Sequence, residues 1–245
     1  MLCRTSDRGP EGAEGAAELG RLLNARMIGS PGGYRDGHYE EDLRDARGCL
    51  LEAGGQVDDA LHEGRRPLVL AGDCSICLTT LAAALRHRPG ARVLWVDAHG
   101  DFNSPDTTQS GYLGGMCLAG ACGVWDPGLG QEVVDPGRVV QWGVRDLDMG
   151  ERVLLETRGV HRVQDIGGLE GLEVYVHVDL DVLDPADMPA RYPASGGPPP
   201  EGLRALLGDV ARDCEVVGVE VTSIAPAHAT LAREVLAPLL APEQR

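Results

Sequence analysis

After a Gly- and Glu-rich opening, the hydrophobic and polar positions settle into short apolar runs that alternate with helical stretches. Helical periodicity predicts a first helix over residues 14–26 and a second over residues 39–63, broken or bent near Gly54 and Gly55. Strands are predicted at residues 67–70, 93–96, 139–144, 172–178 and 216–221. Helices are predicted to run to about His87, to about Arg158, over residues 201–213 and over residues 231–240. Runs such as Val93-Leu94-Trp95-Val96 are apolar on both faces, as central strands of a covered parallel sheet must be. This order predicts an α/β fold, a three-layer sandwich with a parallel β-sheet flanked by helices, forming a single domain over residues 1–245. Residues 185–200 are dense in Pro and Gly and too long for a plain turn, which marks a functional loop.

Composition narrows the function. A formal charge of −16 opposes nucleic-acid binding, which rests on cations neutralising phosphates, and favours cationic small molecules. All 22 cationic Lys/Arg residues are Arg, so the chain has no lysine for a Walker motif or a Schiff base. No apolar run approaches the ~18 residues of a membrane span, and no charged-then-apolar leader opens the chain, so no membrane is expected and a cytoplasmic location is. The 7 cysteines are then expected as thiols rather than disulfides. Cys74 and Cys77 form a CxxC pair with neither a second matching pair for zinc nor a redox-motif context.

Two strands run into acidic clusters. Val93–Val96 leads into Asp97-Ala98-His99-Gly100-Asp101, and Val176-His177-Val178 leads into Asp179-Leu180-Asp181. Alternation along a strand projects every second residue to one side, and open parallel sheets bind ligands beyond their carboxyl ends. A lone Asp after a strand is usually a turn former or helix cap. Two such clusters are better explained by divalent cations, because converging carboxylates repel one another and resist desolvation without them. Oxygen ligands with an imidazole suit Mn²⁺, and a water shared by two ions loses its proton near neutral pH.

At these residues the sequence resembles the arginase-like ureohydrolases over about residues 68–225. The motifs carrying the resemblance are Ala71-Gly72-Asp73-Cys74-Ser75, Asp97-Ala98-His99-Gly100-Asp101 and Asp179-Leu180-Asp181-Val182-Leu183-Asp184-Pro185. The resemblance implies two Mn²⁺ per chain. Asp97 and Asp179 would bridge them, Cys74 and Asp101 would complete one ion, and His99 and Asp181 the other. It also implies a small guanidino amino acid as substrate: Asn103 and Ser110 on the α-carboxylate, Asp148 and Glu151 on the α-ammonium, Glu220 on the guanidinium, and Asp101 relaying a proton. Taken alone, Asp148 is also a natural helix cap. The oligomeric state stays open.

Three positions depart from the family pattern. Cys74 stands where a histidine ligand is usual, and a thiolate there would make the cluster more negative and its metals weaker Lewis acids. An inert core thiol is the plain alternative. Gly114 stands where arginases carry a histidine thought to shuttle protons, and losing a general acid costs about 10²–10⁴-fold in rate. His177 replaces a usual serine, as support behind the cluster or as an ordinary core histidine. Together these imply a less basic guanidine, as in the branch hydrolysing Nω-hydroxy-L-arginine to L-ornithine and hydroxyurea. Arginase activity, a catalytically impaired arginine-binding relative and a zinc deacetylase-like enzyme are the rival expectations.

Overall fold

The structure is a computed structural model and describes residues 1–240. Its centre is a parallel sheet of six strands among the described residues: β1 (Leu68–Leu70), β2 (Arg92–Val96), β3 (Val139–Trp142), β4 (His161–Val163), β5 (Glu173–Asp179) and β6 (Glu215–Thr222). Their order is β1-β6-β5-β2-β3-β4. Among the described residues seven α-helices connect and cover them: α1 (Glu11–Leu22), α2 (Tyr39–His62), α3 (Cys77–His87), α4 (Cys117–Ala121), α5 (Met149–Arg158), α6 (Pro200–Asp213) and α7 (Ala229–Leu240). One sheet face packs Val93, Trp95 and Tyr175 against α2, α3, α4 and Leu155 of α5. The opposite face packs Leu94, Val96, Val174 and Val176 against α1, α6 and α7. The α/β three-layer sandwich follows from strands that are apolar on both sides.

Several boundaries differ from the sequence-based expectations. The first helix begins at Glu11, behind Pro10 and with Glu11 and Glu14 in its first turn, and it ends before Asn24, whose φ of 55° breaks the helical path. The second helix continues unbroken through Gly54, where an added Cβ would lie 2.9 Å from Cβ of Thr79. Gly54 therefore permits close approach of α2 to α3 within an unbroken helix. The expectation of free thiols throughout is corrected at one pair: Cys3 and Cys49 are disulfide-bonded, 46 residues apart, with Cα atoms 6.2 Å apart. The pair fastens the N-terminal segment to α2. The other five cysteines are thiols. Among the described residues no helix is long and apolar enough to cross a membrane.

Candidate metal centre and substrate cavity

β2 and β5 lie side by side, with Val96 opposite Val178, so Asp97 and Asp179 emerge together at neighbouring strand tips. The two aspartates use the same local device. Oδ1 of Asp97 accepts from the His99 amide at 2.8 Å, and Oδ1 of Asp179 accepts from the Asp181 amide at 2.8 Å. Each is an Asx-type turn that curls the chain over the strand tip and brings the next ligand-type residue back beside it. Cys74 arrives from a third strand tip, at the start of the 3₁₀ turn Cys74–Ile76 after β1. Asp73 fixes that turn through the Ser75 amide at 2.8 Å and pins the N-terminal segment through the Ser6 amide at 2.8 Å.

Two sets of three side chains converge here: Cys74, Asp97 and His177, and Asp97, His99 and Asp181, with candidate ligand atoms within 4.8 Å of one another in each. Asp97 is common to both. Cys74 Sγ lies 2.9 Å from Oδ2 of Asp179 and 3.9 Å from Oδ2 of Asp97. Nδ1 of His99 lies 3.2 Å from Oδ2 of Asp181. Asp101 and Asp179 stand outside both sets but line the same cavity. Asp101 has a left-handed φ of 51°, unfavourable for a residue with a side chain, and such strain concentrates at working sites.

Burial raises the cost of charge throughout this cluster. It pushes the Asp179 carboxyl up to about 6, helped by the neighbouring Asp181 charge. Burial and the Asp97 charge hold Asp101 well above the usual carboxylate range. The Cys74 thiol is pushed well up by burial, then by Asp179, Asp101 and Asp97. His99 moves the other way. Burial opposes its charge, yet hydrogen bonds to Asp181 and Asp97 outweigh that and push it up to about 12. Left to its own groups, the protein balances this negative charge by holding protons, which dications would displace.

The cluster forms the floor of a cavity of about 360 Å³ that also exposes Asn103, Ser110, Asp148 and Glu151. Asn103 Nδ2 donates to Oδ2 of Asp148 at 3.1 Å. Asp148 is the N-cap of α5, and its amide donates to Oε2 of Glu151 at 3.2 Å. Oε1 of Glu151 accepts from the Phe102 amide at 2.8 Å. Asp148 thus serves as helix cap and cavity wall together. Burial pushes Glu151 up to about 7. Its anionic form, the one that attracts an ammonium, therefore fills as pH rises through that value. KM for an α-ammonium substrate should fall by about tenfold between roughly pH 6 and pH 8, and Glu151→Gln should flatten that slope. Steady-state kinetics of both proteins across this range checks it.

Glu220 is not on the cavity wall. It is fully buried beneath His177, whose Nδ1 lies 2.8 Å from Oε1 of Glu220, and it also accepts from the Thr80 hydroxyl. His177 is stacked flat on Trp95, with ring centroids 3.6 Å apart. The cavity wall includes residues that sequence reasoning did not single out: Tyr112, Ser223, and Arg191, Tyr192 and Pro193 from the Pro-rich loop. That loop is held by Arg145, which donates to the carbonyl of Ala194 at 2.7 Å. Only its unusual length and composition signalled it. Gly114 is explained by Tyr112: a Cβ there would lie 2.5 Å from the tyrosine ring.

Residues 33–240 match the arginase family. The chain belongs to that family. It is 34% identical over 252 residues to the N(omega)-hydroxy-L-arginine amidinohydrolase of Streptomyces lavendulae, covering 97% of this chain and 92% of that protein. The arginase of Bacillus caldovelox is 38% identical over 164 residues, covering 58% of this chain and 55% of its own length. The solved arginase of Bacillus subtilis superposes with a TM-score of 0.79 at 26% identity, covering 96% of this chain and 93% of that one. This arginase-family protein is a hydrolase acting on amidino or guanidino groups.

Proposed function

We infer that the chain hydrolyses Nω-hydroxy-L-arginine to L-ornithine and hydroxyurea, in the cytoplasm, with two Mn²⁺ ions per chain. The donor set suits such ions: two groups of ligands share Asp97, and Oδ1 of Asp181 is buried with no hydrogen-bond partner among the described residues. Asp97 and Asp179 would bridge, Cys74 and Asp101 would hold one ion, and His99 and Asp181 the other. When bound, the pair neutralises the carboxylates and lowers the pKa of a shared water.

The chain's own groups do the rest. Asn103 and Ser110 offer neutral donors to an α-carboxylate, while Asp148 and Glu151 offer negative charge to an α-ammonium. These contacts orient the guanidine over the aspartates. The Asp101 carboxylate would take the proton that the attacking water gives up and relay it to the departing ornithine nitrogen. Glu220, held behind His177 and fully buried, does not contact the guanidine end.

The observation carrying the substrate assignment is the Tyr112 ring beside Gly114, which occupies the space that a proton-shuttling side chain at that position would need. A strongly basic guanidinium needs such a group most. An N-hydroxy substituent withdraws electrons, lowers guanidine basicity and brings its own hydroxyl. Turnover of L-arginine, its Nω-hydroxy derivative and agmatine at equal concentration should favour the hydroxylated substrate by about tenfold or more over arginine. Agmatine, lacking the carboxylate, should be poorest. Equal or faster turnover of arginine would make the chain an arginase, and binding without product would make it an inactive relative.

A further inference from the structure

The registered strands place one row of residues side by side beneath the aspartates: Trp95 on β2 faces His177 on β5, and His177 faces Glu220 on β6. All three are fully buried. Trp95 fixes the plane of the imidazole by stacking, and its indole N–H donates to Oδ2 of Asp97 at 3.0 Å. Glu220 takes up Nδ1 of His177. The other ring nitrogen, Nε2, has no hydrogen-bond partner among the described residues. A buried polar atom without a partner is costly, and this one belongs to a side chain grouped with Cys74 and Asp97 as a candidate ligand set.

We propose that His177 is itself a metal ligand, binding through Nε2 the ion that Cys74 and Asp97 hold, with Glu220 as the carboxylate partner of its Nδ1. A carboxylate that accepts Nδ1–H leaves Nε2 as a lone pair and raises its basicity, the usual support of a metal-bound imidazole. The centre would then regain from β5 the neutral nitrogen donor that the turn after β1 lacks at Cys74. This explains in one step the cysteine, the histidine and the withdrawal of Glu220 from the cavity. The inference rests on the dinuclear reading above.

Pulsed EPR of the intact protein loaded with Mn²⁺ alone, made with ¹⁵N-histidine, tests it without any substitution. Two distinct imidazole couplings are expected, from His99 and His177, and a single coupling would overturn the proposal. Titration of Mn²⁺ into His177→Gln should weaken one of the two binding steps by about 10–100-fold or more and leave the other unchanged, with Glu220→Gln falling within that range. Parental affinities with both couplings retained in His177→Gln would also overturn it. Should His177→Gln fail to fold, the wild-type couplings and Glu220→Gln decide. Two couplings without hydrolysis of any guanidino amino acid would sink the functional assignment and leave this one standing. Hydrolysis with a single coupling would do the reverse.

Discussion

Asp97→Asn should abolish turnover, by on the order of 10³-fold or more, because it strikes both halves of the metal centre at once. Asp97 is the residue common to the two candidate ligand sets. Asparagine keeps the size of the side chain but offers one carbonyl oxygen in place of a charged pair. In the native protein those two oxygens already accept from the Trp95 indole and the His99 amide. The fold should tolerate the change better than the chemistry does. Asp97 contributes to the raised pKa of Asp101, so removing its charge relieves repulsion in the metal-free cluster and offsets a lost hydrogen bond of about 1 kcal/mol. Metal analysis should then show depleted Mn²⁺, while the chelator-treated variant melts within about 5 °C of the chelator-treated parent. Full metal content with full activity would remove Asp97 from the bridging role.

How much of this could be read from the chain depends on what each element rests on. The central strands were legible because burial on both faces leaves an unbroken apolar run, as in Arg92–Val96 with its four buried positions. The short edge strand His161–Val163 was missed, since it is largely exposed and presents His161 and Arg162 instead of an apolar alternation. Gly54 read as a break or bend because a glycine's local permissiveness is visible in sequence and its packing partner is not; the helix continues through it. The pairing of Cys3 with Cys49 was hidden for the same reason, since the contact spans 46 residues. At the site, Asp97 and His99, and Asp179 and Asp181, come together through an Asx turn at each strand tip and not through continued strand alternation, so the two-residue spacing was visible in sequence while the turn that uses it was not. Glu220 lies inside β6, two residues before its end, and its environment is set by the neighbouring strand: with histidine at 177, the carboxylate is capped by an imidazole. Tyr112 gave no signal beyond the glycine two residues later.

Replacing Cys74 by histidine should raise arginine turnover relative to Nω-hydroxy-arginine by about 100-fold while Mn²⁺ remains bound. Cys74 borders the cavity, so a larger ring has open space on that side. The protein resists ionising this thiol, through burial first and then through Asp179, Asp101 and Asp97. Metal binding as thiolate works against that resistance and adds an anion to a cluster already dominated by carboxylates. A neutral imidazole removes one negative charge from the donor set, which lowers the pKa of a metal-bound water and strengthens the ions as Lewis acids. A more acidic cluster is better able to activate a basic guanidinium, so arginine gains most. The gain should stop short of a full exchange of specificity, because the Tyr112 ring still fills the space beside Gly114. Competition between the two substrates in one reaction vessel, with urea and hydroxyurea measured separately, reads the ratio directly. An unchanged ratio at full metal occupancy would leave Cys74 without influence on substrate choice and return it to the core as a packed thiol.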